Sequence, residues 1–551
     1  MNRFSKACLI LIYSAVSGQS FSQDTLKKED ITSAAKLLDV QFSQQETDMM
    51  FTDVKDNQKE YEKMHKLKLD NSVPMSLWQT PLLPGMTVPT NQKAINWNLP
   101  KNVVLPKNKN ELAFYSIPQL ASLLRNKKIT SVELTKFFIE RIRKHGDSLQ
   151  CVISITEEFA MKQAATADAE IKAGIFRSIL QGIPYGLKDL FAVKGTKTTW
   201  GAAPYKDQTI NEDAFVYTQL EKSGAVLIAK FTLGALAMGD YWYGGRTKNP
   251  WNLRVGSSGS SAGSASATVA GLVPFAIGTE THGSIISPST ACGATGLRPT
   301  FGTVSRSGAM TLSWSLDKVG PICRSAEDAA AVFSIIHGTD GKDGSAVNAA
   351  FNYTGAANFK KLKIAYVKNY FDKLDSNAND PKVLDVYRKL GATLIPIEII
   401  DSVLYPFDMI GMVIGAEASG AFDEMTRMNI DDQLTRQTRN DWPNYFRTAR
   451  LIPATEYVNT NRHRYKLMQD MAKIVNQYDA IITPTFGGSQ LPVTNLTGYP
   501  AVCMPTGFNQ NKTPTSITII GKLYDEATIL ALAKAYQQVT EWDDMHPGMF
   551  K

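Results

Sequence analysis

A chain of 551 residues with 43% hydrophobic and 20% charged residues carries enough apolar material for a large buried core, which excludes a disordered protein. Its formal net charge of +7 is small for that length and is spread without long Lys/Arg runs, so it gives no support for a nucleic-acid-binding surface. The five cysteines include no CxxC pair and no Cys/His cluster, which argues against zinc.

The first residues read as a secretory signal. Arg3 and Lys6 form a basic start, residues 7–16 a short apolar run, and Ser20-Phe21-Ser22 the small residues beside a cleavage point. The apolar run is too short to span a bilayer. The sequence therefore predicts a signal peptide over residues 1–22, export to the periplasm or the medium, and no membrane span in the mature chain. Cys8 lies too early to carry a lipid. Cys151, Cys292, Cys323 and Cys503 remain after cleavage and read as buried thiols, a disulfide being the alternative in an oxidising compartment.

Residues 23–112 are rich in Lys, Asp, Glu and Gln, with apolar positions at helical spacing around Leu37-Leu38 and Met49-Met50-Phe51. A helical N-terminal extension packed on the main body is expected there, with the Pro-rich stretch 74–106 as a loop or extended crossover. From residue 113 short apolar strands alternate with helices. A helix is expected at 117–124, and a capping box of Thr130 and Glu133 starts another that runs to about 145 and stops at Gly146. Strand 152–155 and the Ala-rich helix 159–173 follow. Strands at 226–229 and 274–278, a helix at 326–336, strands at 362–367 and 393–397 around a helix at 381–390, and a closing helix at 527–539 complete the series. This alternation predicts an α/β fold: one large domain over residues 113–551, with a central mixed, largely parallel sheet covered by helices.

One stretch stands out, the Gly/Ser-rich run at residues 255–288. Near its start Gly256 to Ser261 are four serines and two glycines, and near its end comes the corner Thr281-His282-Gly283-Ser284. Small residues at this density let backbone N–H groups face a ligand. A flexible linker is the alternative, but residues 269–277 form an apolar segment that a linker would not carry. The run is therefore expected to hold a nucleophile and its oxyanion site.

A Ser-His-Asp arrangement would need one of six histidines, yet no G-x-S-x-G elbow is followed by an acid and a histidine. Only His282 lies inside a Gly/Ser corner, where it can offer a backbone N–H as readily as an imidazole. A lysine offers another route. Lys188 in GIPYGLKD follows an apolar, Gly/Pro-punctuated turn, so its side chain is expected to point inward. A desolvated lysine loses affinity for its proton and becomes a base.

GIPYGLKD, SSAGS (Ser260 to Ser264), GTETHGSI (Gly278 to Ile285) and GLRPTFGTVSR (Gly296 to Arg306) together resemble the amidase signature family, in that order. SLDKVGPI (Ser315 to Ile322), SAEDAA and NLTGYPAVCMPTGF (Asn495 to Phe508) extend the resemblance over roughly residues 113–551. Each motif alone is weak; the ordered set is specific.

The resemblance implies a Ser–cis-Ser–Lys triad. Its nucleophile is Ser284, its bridging serine Ser260 and its base Lys188, with the N–H groups of Thr281, His282, Gly283 and Ser284 as oxyanion hole. Counting back from Ser284 without a gap selects Ser260 over the similar pair Ser257-Ser258. The implied reaction hydrolyses a carboxylic amide through an acyl-enzyme on Ser284, with no cofactor and no metal. The expected partner is a small-molecule or peptide amide and not nucleic acid; the oligomeric state is left open.

Two departures from the family pattern matter. Many members carry Gly-Gly before the nucleophile where this chain has His282-Gly283, and many carry an arginine two residues after it where this chain has Ile286. The expected protein is an exported amidase. A glutamine-hydrolysing A-type subunit of a tRNA-dependent amidotransferase is the alternative, and a non-catalytic binding protein on the same fold is a third. The substrate pocket is expected in the variable region 401–465, where Met409, Met412, Met425, Met428, Trp442, Tyr445 and Phe446 would line it or serve as ordinary core.

Overall fold

The computed structural model describes residues 26–375, 377–399 and 409–551; the expected signal at residues 1–22 lies outside the described residues. The chain forms two compact units, one ending at Lys68 and one spanning Leu69–Lys551. In the first, helices Lys28–Leu37 and Gln44–His65 are present, the second opened by a capping box between Ser43 and Glu46. Residues 69–108 contain no helix or strand and belong to the larger unit. Their six prolines, Pro74, Pro81, Pro84, Pro89, Pro100 and Pro106, remove amide donors that either element would need.

The larger unit is built on one mixed sheet. Its strands in chain order are β1 (Val152–Ile155), β2 (Pro184–Lys188), β3 (Val226–Phe231), β4 (Phe275–Glu280), β5 (Thr295–Arg298), β6 (Lys318–Cys323), β7 (Ile364–Val367), β8 (Leu394–Ile397), β9 (Ala480–Pro484), β10 (Ala501–Phe508) and β11 (Pro514–Gly521). Their spatial order is β1-β3-β2-β4-β6-β5-β10-β11-β9-β7-β8. Parallel pairing joins β3-β2-β4 on one side and β9-β7-β8 on the other, while the strands between them run antiparallel. Strands β2, β3, β6 and β9 are buried along their whole length, as near-continuous apolar runs require when helices cover both faces.

The capping box of Thr130 and Glu133 is formed in both directions, but the helix it opens, Ser131–Leu149, does not stop at Gly146. A Cβ at Gly146 would lie 3.0 Å from Val152 Cγ2, so this glycine serves the close approach of β1. The helix ends instead at Gln150, whose backbone is left-handed with φ 48°. All four expected thiols are buried and unbridged. Among the described residues no helix is long and apolar enough to cross a membrane.

Candidate active site

The Gly/Ser run folds as packed core. Ser261 precedes the helix Ala262–Val269, every residue of which is buried, and the chain returns along β4 to the corner at Thr281–Ser284. The small residues are demanded by space. A Cβ at Gly259 would fall 1.9 Å from the Gly239 carbonyl oxygen, and one at Gly263 would fall 2.5 Å from both Cys151 O and Thr232 Oγ1. The buried hydroxyls find carbonyl acceptors: Ser264 donates to Ile277 O at 3.0 Å, and Ser266 to Lys248 O at 2.7 Å. The peptide bond between Gly259 and Ser260 is cis.

Lys188 ends β2, flanked by the two parallel neighbours β3 and β4. Close packing keeps this strand in place, since a Cβ at Gly186 would strike the Phe231 ring at 2.0 Å. The next residue, Asp189, is anchored on its other side: one oxygen meets Lys230 Nζ at 2.9 Å and the second accepts from the Thr199 amide and hydroxyl. Asp189 and Lys230 are both fully buried, so each neutralises the other while fixing the end of β2.

Lys188 Nζ lies 2.8 Å from Ser260 Oγ, 2.8 Å from Thr279 Oγ1 and 3.1 Å from Ser261 Oγ. Among the described residues no carboxylate is within ion-pair distance of it. Burial lowers its pKa from 10.5 to about 7, with the more distant Asp317 and Glu280 opposing the shift. In the neutral form its two N–H groups are taken by Thr279 and Ser261, which leaves the lone pair for the Ser260 hydroxyl. Ser257 plays no part in this cluster; its hydroxyl donates to Ser258 O. Sequence reasoning misses Ser261 and Thr279, although Ser261 is the second serine of SSAGS and Thr279 lies in GTETHGSI.

Ser284 is brought beside this cluster by the backbone, where the Ser261 amide donates to the Ser284 carbonyl at 3.0 Å. Its residue is 9% exposed, while Ser260 and Lys188 are sealed. Among the described residues no backbone acceptor takes the amide N–H of Thr281, His282, Gly283 or Ser284. Four successive unpaired donors around a serine are what an anion-stabilising corner requires. Gly283 sits at φ +90°, a conformation that favours glycine. His282 is an exposed residue, although the protein around its imidazole lowers the pKa through desolvation.

Glu280 holds this corner from below. Its Oε2 accepts from the Ile285 and Ile286 amides at 2.9 Å each, and its Oε1 from Arg298 at 3.0 Å and Asn495 at 2.9 Å. Burial opposes its charge, but Arg298, the Ile286 amide and Lys318 outweigh that and hold its pKa at about 2. The buried cation that pairs with this carboxylate is Arg298 of GLRPT. On the other side Thr281 donates to Asp317 at 2.5 Å, and Asp317 accepts in turn from the Leu312 and Ser313 amides.

A pocket of about 160 Å³ opens beside this corner, bordered by Thr279, Thr281, Leu312, Trp314 and, from the N-terminal crossover, Met75 and Trp78. The expected lining residues lie elsewhere. Met409, Met425, Trp442 and Phe446 are core, Met412 and Met428 are exposed, and residues 401–408 lie outside the described residues. Tyr445 donates to Gly411 O at 2.7 Å. Trp442 has a supporting position, donating to Ala235 O and Leu236 O in the loop that packs on Gly259. Among the described residues no group of three His, Cys, Asp or Glu side chains is placed to hold a metal.

The family model described as Amidase matches residues 133–493. The A-type subunit of the glutamyl-tRNA(Gln) amidotransferase of Coxiella burnetii is 34% identical over 482 residues, covering 79% of this chain and 99% of that protein. Its counterpart of the same name from Marinomonas sp. is 35% identical over 484 residues, with the same coverage. Among solved structures, the peptide amidase from Stenotrophomonas maltophilia superposes with a TM-score of 0.69 at 26% identity, covering 78% of this chain and 98% of that one. An amidase family protein from Bacillus anthracis superposes with a TM-score of 0.71 at 25% identity, covering 80% and 94%.

Proposed function

This chain belongs to the amidase signature family of amide hydrolases, and from that premise we propose that it cleaves a carboxylic amide through an acyl-enzyme on Ser284. The observation that carries the assignment is the contact of Lys188 Nζ with Ser260 Oγ at 2.8 Å in a site without a neutralising carboxylate among the described residues. Neutral Lys188 takes the Ser260 proton as Ser260 takes that of Ser284, and Ser284 Oγ attacks the amide carbon. The carbonyl oxygen becomes an oxyanion facing the N–H groups of residues 281–284. As the C–N bond breaks, the relay returns its proton to the departing nitrogen, which leaves as ammonia or an amine. Water then attacks the ester carbon, the relay taking and returning a proton in the same sense, and the acid departs.

Purified protein tests the assignment: a fluorophosphonate probe labels the wild type on Ser284, and Ser284→Ala abolishes both labelling and amide turnover. Labelling that persists in that variant assigns the nucleophile elsewhere.

Sequence similarity favours a second reading, a glutamine-hydrolysing A-type subunit of a tRNA-dependent amidotransferase. At 34% identity across nearly the full length of the relatives, it outweighs the reading of a free-standing exported amidase on that criterion. Ile286 in place of the frequent arginine speaks for the first reading. Export rests on the pattern of residues 1–22 alone. Fractionation of the producing cell tests it: processed protein in the periplasm or medium supports the first reading, and full-length protein in the cytoplasm supports the second.

A further inference from the structure

Residues 71–78 precede the family-matched segment 133–493, yet they border the pocket. Asn71 ties this strap down: its amide nitrogen donates to Thr311 O at 3.0 Å and Ala421 O at 3.3 Å, and its oxygen accepts from Thr311 N at 2.8 Å. Thr311 starts the loop whose Leu312 and Ser313 amides bind Asp317, which in turn accepts from Thr281. The strap is therefore linked by successive hydrogen bonds to the oxyanion corner. Trp78 lies against Gly344, where a Cβ would fall 2.3 Å from its indole, and the residue remains 51% exposed.

The charges around the pocket are largely committed to partners. Arg306 is paired with Asp343 through two hydrogen bonds of 2.7 and 2.8 Å. Asp317 has three donors, and Lys318 donates to Leu316 O. Lys342 is exposed and Glu212 half-buried. A free amino acid amide would carry an α-carboxylate into this space, where Arg306 and Lys318 already have acceptors, and desolvate it without a free buried cation. An apolar group meets Met75, Trp78, Leu312 and Trp314 instead. The volume of about 160 Å³ suits a single aromatic ring, since an apolar cavity of about 150 Å³ binds benzene.

We propose that the 71–78 strap, through Trp78, makes this site selective for neutral amides bearing an apolar group the size of one aromatic ring. The proposal rests on Ser284 being the nucleophile. It is tested with two sulfonyl fluorides that react with that serine, forming the Ser284 O–S bond as S–F breaks and fluoride leaves. One carries a benzyl group, the other only a methyl group. By intact mass, the wild type reacts with the benzyl reagent about tenfold faster relative to the methyl reagent than Trp78→Ala does. Gly344→Ala, which displaces the indole, lowers the benzyl rate similarly, and adding it to Trp78→Ala produces no further loss. Phenylacetamide protects Ser284 from modification and L-glutamine does not.

An unchanged benzyl preference in Trp78→Ala, or protection by glutamine and not by phenylacetamide, overturns the proposal. Glutamine protection that disappears in Glu212→Gln and Lys342→Ala would assign recognition to those two charges instead. Failure of both reagents to modify wild-type Ser284 would remove the nucleophile assignment itself, an outcome distinct from loss of selectivity.

Discussion

Lys188 Nζ stands 2.8 Å from Ser260 Oγ, with both residues closed to solvent and, among the described residues, no carboxylate paired with the amine. Burial brings the amine down to about 7, so it passes from acid to base near neutrality. The proposed relay needs the neutral form. We expect kcat/KM for amide hydrolysis to rise through an acid limb centred near pH 7, and a limb centred near pH 10 would show an unperturbed lysine.

The same shift has a stability consequence. With a folded pKa of about 7 and an ordinary value of 10.5, the unfolded chain binds more protons between those limits, so the contribution of Lys188 to stability rises with pH across that window. Below it the charge is buried at full cost. Lys188→Met should therefore raise the melting temperature, by more at about pH 6 than at about pH 10.5, while abolishing turnover. Thermal unfolding at the two pH values reads the difference.

Among the described residues the His282 N–H has no backbone acceptor, and the residue is exposed. His282→Ala should keep turnover within about tenfold of wild type. Gly283→Ala should lose roughly a hundredfold in kcat, comparable to removal of an oxyanion donor. Its Cβ would meet Ser287 Oγ at 2.9 Å and stand at φ +90°. A loss in His282→Ala as deep as that in Ser284→Ala would point to an imidazole-based mechanism.

Glu280 and Arg298 form a buried pair beneath the nucleophile corner, 3.0 Å apart. Glu280→Gln leaves the guanidinium without its counter-charge, a loss of about 3–5 kcal/mol. The melting temperature should fall by roughly 5 °C or more, and Arg298→Met added to it should restore part of the difference. Because the folded pKa is about 2 against an ordinary 4.5, this stabilisation is present above pH 4.5 and fades as pH falls toward 2. A flat acid-unfolding difference between wild type and Glu280→Gln would contradict that.

The Lys188–Ser260 contact is readable from sequence because both residues sit in ordered motifs. The apolar approach to Lys188 turns it inward, and register separates Ser260 from Ser257. The partners that tune the relay are less legible, because their roles depend on contacts between distant segments. Thr279 reaches Lys188 only because β2 and β4 are neighbours, and Arg298 reaches Glu280 across the intervening β6. The expected position of the pocket fails for the same reason. Met425, Trp442 and Phe446 are apolar wherever they lie, whereas Trp78 borders the pocket because Asn71 is tied to Thr311. Gly146 misleads differently: a glycine that admits a neighbouring strand has the same letter as one that ends a helix.

The Ser261–Ser284 backbone bond makes the length of the segment between the two serines of the relay a fixed quantity. That segment is a buried helix followed by a central strand, joined by a short turn. One residue inserted into Ala262–Val269 would rotate what precedes it by about 100° and swing Ser260 away from Lys188. One residue inserted into β4 would turn Thr279 to the opposite face of the sheet. The crossover at 71–78 has no such periodicity to preserve. Variation in chain length is therefore least tolerable between the two serines of the proposed relay.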